Sequence, residues 1–389
     1  MGVDNAMGSY FLSHLNLLGG GIVGYLIPFI FVLSLVVFFH ELGHFLIARW
    51  CGVRVVVFSI GFGPELVGFN DRHGTRWKIS AIPLGGFVKF LGDENAASVP
   101  DNAALAKMDD RDRAQSFMFQ PLWKRAAIVV AGPLANFLLA VAIFAAVFMV
   151  YGKQTMSARV DAVQPGSAAA AAGFEPGDLV TAIDGHAIDS FAQMQRIVSD
   201  SAGETLAISV ERNGATLTLK AVPVLQEKKD IFGNVRRIGI LGIQRSPAPE
   251  DLKSHPVALP QAVWLGVQES WDVVDQTLSY IGGVIIGRKS ADQLGGPARI
   301  AQMSGQVASL GFVPLLHFVG MLSVSIGLLN LFPIPLLDGG HLLFYLIEGV
   351  RGRPLSERAQ EVGFRIGLAI VLMLMIFATF NDIVHLTTS

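Results

Sequence analysis

Four long apolar stretches punctuate the chain. The first runs from Ile22 to about Ala48, and its first 18 residues, Ile22 to Phe39, carry no charge. The second, Ala126 to Val150, is 25 residues without a charge. A third covers about Val307 to Asp338 and a fourth Ile366 to Leu386. About 20 apolar residues in helical form cross a bilayer, so the pattern predicts four transmembrane helices. Pro28 is expected to kink the first. Between the first two, residues 49–125 are polar at their far end. Before that, Val53 to Leu91 mixes β-branched and aromatic residues with glycines, and Arg72-His73-Gly74-Thr75 reads as the turn of a β-hairpin. Within Ile82-Pro83-Leu84-Gly85-Gly86-Phe87-Val88-Lys89 the two glycines let another backbone come close. Glu94 to Arg125 reads as a solvated loop or short helix.

Residues 158–224 have the polarity of a soluble domain. Short β-like runs (Arg159–Val163, Leu179–Ile183, Leu206–Glu211, Thr216–Ala221) alternate with turn signals at Gly177-Asp178, Asp184-Gly185 and Asn213-Gly214. Ala168–Ala172 and Phe191–Val198 read as helices. The run Val163-Gln164-Pro165-Gly166-Ser167-Ala168, with Ala172-Gly173-Phe174-Glu175-Pro176-Gly177-Asp178 and Ile183-Asp184-Gly185, resembles a PDZ domain of the bacterial protease-associated kind. Such domains bind peptide by strand addition, and a role as a steric filter is the other reading. Residues 225–306 read as a connector with an amphipathic helix over 261–287. There Trp264, Val267, Trp271, Val274, Leu278, Ile281 and Ile285 form one apolar stripe. Packing on the protein's own surface is the expectation for that stripe, with a partner helix or the membrane interface as alternatives.

Composition agrees with the spans. Of 389 residues 52% are hydrophobic and only 15% charged, and mean hydropathy is +0.51. Soluble proteins carry about 25% charged residues, so this is expected to be a membrane protein. A net charge of −2 gives no sign of a nucleic-acid partner. Cys51 is the single cysteine, which excludes an intrachain disulfide and a cysteine-based zinc site. Residues 1–21 hold Asp4 and no Lys or Arg, so the basic start of a signal peptide is missing and the first span is expected to persist.

Charge also orients the chain. Segment 49–125 has eleven Lys/Arg and 351–365 has four, while residues 1–21 and the last eight have none. The positive-inside rule puts these two loops in the cytoplasm, and both termini and the PDZ-like insert outside. The first span then enters from outside at Ile22. His40 follows 18 residues later, about 27 Å in a hydrocarbon core of about 30 Å, near its cytoplasmic face.

At that depth stands His40-Glu41-Leu42-Gly43-His44, an H-E-x-x-H pattern. Residues i and i+4 share a helix face, so both histidines can meet one metal ion, with Glu41 beside them to handle a water proton. The third span breaks at Asn330-Leu331-Phe332-Pro333-Ile334-Pro335-Leu336-Leu337-Asp338-Gly339-Gly340-His341. Irregular backbone at membrane depth is tolerated only where it is buried in protein or lines a wet cavity. Asp338 is an ionisable group there and a functional candidate. It arrives at the level of His40 and His44, which suggests the three-ligand, open-position arrangement of a catalytic zinc. In Gly132-Pro133-Leu134-Ala135-Asn136, Asn136 is expected to face a partner, with a packing hydrogen bond and substrate contact about equally favoured. Gly19-Gly20-Gly21-Ile22-Val23-Gly24 matches a dinucleotide fingerprint in letters only. No strand precedes it and a membrane-length run follows.

These motifs together resemble the site-2 protease family of intramembrane zinc metalloproteases, most closely the bacterial regulator-of-sigma-E protease group. The resemblance covers nearly the whole chain from about residue 22. One departure is that many members carry two tandem PDZ domains, whereas this chain has room for one. The resemblance implies Zn2+ held by His40, His44 and Asp338, with Glu41 as catalytic acid/base. It implies substrate contacts at Asn330, Asn136, Gly85, Gly86 and Val88, the last three on a membrane-associated β-loop that offers its edge. His341 matches the motif without being a ligand, and His317 reads as a core histidine. Implied partners are the lipid bilayer and single-pass membrane proteins already trimmed on the outer side, such as anti-sigma factors or signal-peptide remnants. The implied location is the bacterial inner membrane. The expected architecture is therefore a polytopic α-helical membrane protein of four transmembrane helices, with a membrane-associated β-hairpin and one inserted α+β PDZ domain. Two alternatives stand beside this reading. One is the membrane H-E-x-x-H class whose third ligand is a glutamate, testable at Glu348 and Glu361. The other is a non-proteolytic PDZ-bearing scaffold or chaperone.

Overall fold

The computed structural model describes residues 22–93, 105–188, 190–229, 235–245, 253–287, 291 and 295–388. The chain forms two compact units: Met1–Val147 with Pro260–Thr388, and Phe148–Leu259. The expectations for residues 1–21, and part of those for 94–125 and 225–306, fall outside the described residues.

The first unit begins with helix α1 (Ile22–Trp50). Strands β1 (Val55–Asn70) and β2 (Arg76–Phe90) follow, then the short helix α2 (Asp110–Gln115) and helix α3 (Leu122–Tyr151). In the second unit come β3 (Lys153–Thr155), β4 (Ala162–Val163), α4 (Ala168–Ala171), β5 (Leu179–Ile183), β6 (His186–Ala187) and α5 (Phe191–Asp200). It continues with β7 (Leu206–Arg212), β8 (Ala215–Ala221), β9 (Val224–Lys229), β10 (Val235–Ile240), β11 (Ile243–Gln244) and β12 (Lys253–His255). The first unit resumes with α6 (Leu259–Ile285), α7 (Pro297–Ser309), α8 (Phe312–Asn330), α9 (Asp338–Arg351) and α10 (Glu357–Thr388).

Four helices among the described residues are long and apolar enough to cross a membrane: Val23–Trp50, Leu122–Tyr151, Phe312–Asn330 and Arg358–Val384. Their limits differ from the sequence expectation at the third and fourth. The apolar run from Val307 is not one helix. Gly311, at φ +123°, separates α7 from α8, and only glycine adopts that conformation cheaply. The last helix begins at Glu357 rather than Ile366, because polar residues extend it beyond its apolar core.

Close backbone contact holds the spans together. A Cβ on Gly43 of α1 would overlap the Ala131 carbonyl of α3, and one on Gly320 of α8 would stand 2.6 Å from the Phe144 ring of α3. Small residues at such crossings replace the hydrophobic drive that lipid removes. α7, unforeseen from the sequence, packs on α1, where Gly305 meets the Tyr25 ring. The α7 N-terminus is capped by Asp382 of α10, whose carboxylate accepts from the N–H groups of Gly296 (2.8 Å) and Ala298 (3.1 Å). Asp382 is 3% exposed. A carboxylate inside needs donors, and a helix N-terminus supplies them.

The hairpin is longer and more folded than two short strands. Residues 57–60 of β1 pair with Gly86–Lys89 on one side and with Arg76–Ile79 on the other, and Val67–Asn70 pair back to Arg76–Ile79. Asp71 anchors its turn. Its carboxylate accepts from the N–H groups of His73 and Thr75 (2.8 and 2.9 Å), from Arg49 Nη1 (3.0 Å) and from Trp77 Nε1. Partial burial would raise this carboxyl, but those donors hold it below its ordinary value.

In the second unit the strands run β6-β5-β7-β8 in one antiparallel sheet. Val160, Val180, Ile183, Ile208 and Val210 fill its core. The sequence-derived strands and helices are present, but the unit does not end at residue 224. β11 pairs with β4, and β10 pairs with β9, within what read as connector. α6 also differs from expectation. Its packing face is Ala262, Gly266, Ser270 and Val273, and the apolar stripe that was expected to pack looks outward.

Candidate metal centre

Two segments about 300 residues apart deliver the centre. α1 is uninterrupted through His40, Glu41 and His44 because no proline follows Pro28 and a helix satisfies every backbone group internally in an apolar medium. The other segment, 331–337, folds back upon the start of α9 before releasing Asp338. Cβ atoms on Gly339 and Gly340 would overlap the carbonyls of Leu331, Phe332 and Ile334, so both positions must be glycine. Leu336 sits at φ +95°, a conformation that L-residues avoid. Such strain persists where packing over-determines it, and here it aims the next turn. The Pro335 carbonyl lies where Gly367 of α10 would carry a side chain, so the last helix backs the loop.

The donor atoms converge. His40 Nε2 and His44 Nε2 are 3.3 Å apart. Asp338 Oδ2 lies 3.3 Å from His40 Nε2, and Oδ1 lies 3.6 Å from His44 Nε2. Ligands at 2.0–2.2 Å around a tetrahedral zinc stand about 3.3–3.6 Å from one another, so these spacings suit the ion. Asp338 Oδ2 is buried without a hydrogen-bond partner, a costly state that a cation would relieve. His40, His44 and Asp338 thus form a group able to hold a metal.

The far nitrogens of both rings are also engaged. His44 Nδ1 donates to the Ile128 carbonyl at 2.8 Å, which leaves Nε2 as the free lone pair. A Cβ on Gly132 would collide with the His44 ring, so that glycine lets the ring lie against α3. His40 Nδ1 lies 3.3 Å from the Asn136 side-chain amide, whose other heavy atom, assigned as oxygen, is buried without a partner. A His40 that offers Nε2 to a metal carries its proton on Nδ1 and needs an acceptor there. With its oxygen and nitrogen exchanged, the Asn136 amide supplies it. Asn136 is fully buried, and its own carbonyl accepts from Ser323 Oγ at 2.9 Å. It therefore faces His40, as the packing-bond reading of its motif expects: α3 turns this side chain toward α1.

Glu41 is 9% exposed and borders β2. A Cβ on Gly86 would stand 3.0 Å from Glu41 Cγ, and Val88, two residues further along β2, is buried. Residues 86–89 are paired to β1 along one edge, and the opposite edge borders α1 at Val37 and Glu41. Gly85 is at φ +142° with the Phe62 ring 2.6 Å from where a Cβ would be. Asn330 ends α8, half-buried, eight residues before Asp338. His341 lies against Phe364 with ring centroids 5.5 Å apart. His317 pairs with Glu269 at 3.5 Å and is partly exposed, so it is not the satisfied core residue expected. Glu348 pairs with Arg125 and Glu361 with Arg365, which removes both as third ligands.

Comparison with known proteins gives a consistent picture. The family description "Peptidase family M50" matches residues 28–374. A protein of Agrobacterium fabrum, provisionally named a zinc metalloprotease, is 52% identical over 364 residues, covering 94% of this chain and 97% of its own. Metalloprotease MmpA of Caulobacter vibrioides is 41% identical over 381 residues, covering 92% and 95%. Among solved structures, the PDZ domain of an SdrC-like protein from Listeria monocytogenes aligns with 21% of this chain and 82% of its own, at 23% identity and a TM-score of 0.17. That score is too low to say anything of the fold.

Proposed function

The chain belongs to peptidase family M50, the site-2 proteases, and is a zinc metalloprotease with membrane-spanning helices; from that premise we propose that it hydrolyses peptide bonds inside the transmembrane segments of other proteins. The observation that carries the reading is the centre itself. Three donor atoms at tetrahedral spacing, with a carboxylate beside them, stand among apolar helices where a soluble protein's chain could not be reached.

When held by His40, His44 and Asp338, zinc supplies polarisation of a peptide carbonyl and a water acidified toward neutrality. Glu41 takes the proton of the attacking water and passes it to the leaving amine. Ile128 and Asn136 hold the two imidazoles in the tautomer that keeps Nε2 directed inward. A helical substrate hides its carbonyls, so it must unwind to react. The Gly85–Val88 edge receives the unwound segment as an added strand, and Asn330 positions it near Asp338.

The substrates are single-pass proteins, anti-sigma factors or signal-peptide remnants, trimmed beforehand on the outer side. The host membrane is a bacterial inner membrane, with both termini and the second unit outside and the metal centre near the cytoplasmic face. The second unit is a PDZ domain. A four-stranded sheet with two helices supports that reading, as does an apolar groove between α5 and β10 lined by Met194, Val198, Ile238 and Ile240. The test is Glu41→Gln in purified protein, reconstituted with a single-pass substrate. Zinc content should stay at wild type while cleavage falls by about 10²–10⁴-fold. Undiminished cleavage would sink the assignment.

A further inference from the structure

Two helices besides α1 set the geometry of the centre. α3 orients both imidazoles: the Ile128 carbonyl takes His44 Nδ1, Gly132 lies against the His44 ring and Asn136 faces His40. α9 supplies the third donor, Asp338, as its first residue. At 100° per residue, Gly132 and Asn136 fall within about 20° of Arg125, so the three share one stripe of α3. On α9, Tyr345 falls within about 20° of Asp338 and about 10 Å further along the axis.

The two stripes are joined at Arg125. Its Nη2 donates to Glu348 Oε1 of α9, and its Nε donates to the Gln120 carbonyl at 3.1 Å. The guanidinium carbon stands 4.9 Å from the centroid of the Tyr345 ring. The Arg125 and Glu348 side chains are 15% and 17% exposed, so water competes little for either. The helices also touch beside the pair, where a Cβ on Gly349 would stand 3.3 Å from the Leu122 side chain. Leu342 and Tyr345 pack on the apolar cluster that contains Ile128 and Val129 of α3.

The loop 331–337 fixes the start of α9, where Gly339 and Gly340 tuck against it. One fixed point leaves a helix free to roll about its axis, and roll is what aims a side chain. A roll of about 10° moves a group about 5 Å from the axis by about 0.9 Å. A metal site tolerates ligand distances only within about 0.2 Å. A second fixed point about two turns further on removes that freedom.

We infer that Arg125 is a positioning residue for the metal centre: it ties α9 to α3 and so holds Asp338 at the spacing that His40 and His44 require. The inference rests on the zinc reading of that centre and extends it to a residue that touches none of the ligands.

The test compares purified full-length variants by competition with a chromophoric chelator for zinc and by the visible spectrum of the Co2+-loaded protein. A tetrahedral Co2+ site absorbs strongly and a six-coordinate one weakly, so the spectrum reads geometry. Arg125→Met should bind zinc about tenfold more weakly, the lower end of the cost of losing an outer partner, and its Co2+ bands should weaken. Lys124→Met breaks the contacts with Cys51 and Gln120 on the same turn of α3 and should match wild type in both readouts. Where Arg125→Met does not fold, Glu348→Gln, which keeps the side chain's shape, carries the test and should shift both readouts the same way. Asp338→Ala checks the centre separately, by loss of zinc. Wild-type affinity and spectrum in the Arg125 and Glu348 variants, or an equal loss in Lys124→Met, would overturn the inference while leaving the centre intact.

Discussion

His40 and His44 sit four residues apart on one helix, yet different groups hold their far nitrogens. His44 has the Ile128 carbonyl, which cannot be removed by substitution, and His40 has the Asn136 amide, which can. Asn136→Leu should therefore weaken zinc binding by about 10–100-fold, the usual cost of losing such a partner. Asn136→Asp keeps an acceptor and should retain zinc far better. Competition with a chromophoric chelator measures both, and equal loss in the two variants would show that Asn136 only packs.

The segment 331–337 shows how an element can be irregular and still rigid. Two prolines deny it a helix, two glycines let α9 tuck beneath it, and α10 closes it from behind at Gly367. Gly367→Leu should displace that loop and reduce zinc occupancy, although residue 367 touches no ligand. Wild-type zinc content in this variant would mean that α10 can yield without moving Asp338.

In the second unit the corresponding anchor is Asp178, 1% exposed, which accepts from Arg212 Nε at 2.7 Å. Burial pushes this carboxyl up, but the Arg212 hydrogen bonds and charge and the Glu175 N–H bring it below its ordinary value. A carboxyl depressed on folding contributes stability that is complete above its unfolded pKa, about 4, and is lost as pH falls through the lower folded value. Protection of the amides of residues 158–221 from hydrogen exchange, relative to their intrinsic rates, should accordingly fall below about pH 4 in wild type. With Arg212→Ala it should be lower already at pH 7 and less dependent on acid.

For the molecule as a whole, the charge pattern makes a topological prediction. With Cys51 replaced, a membrane-impermeant thiol reagent should label a cysteine introduced at Ser9 from the same side as one at Asn213. One at His73, in the β1–β2 turn, should react from the other. Labelling of all three from one side would refute four crossings. The apolar helices are legible in the sequence because each is an uncharged run, and the sidedness proposed for them rests on the basic residues of the loops.

Local pattern determined the apolar lengths of the spans, the helical pairing of His40 with His44, the Asp71–Thr75 turn and most strands of the second unit. These depend on residues within one or two turns of each other, whose periodicity is written in the chain. The tertiary structure alone decided that Asn136 turns to His40, that α7 is a separate helix capped by Asp382, that β11 returns to β4, and that the stripe of α6 looks outward. In the first three cases the partner lies about 80 or more residues away. A rotation of 100° per residue about a helix axis gives a side chain an entirely different neighbour, and no local period records which rotation the packing selects.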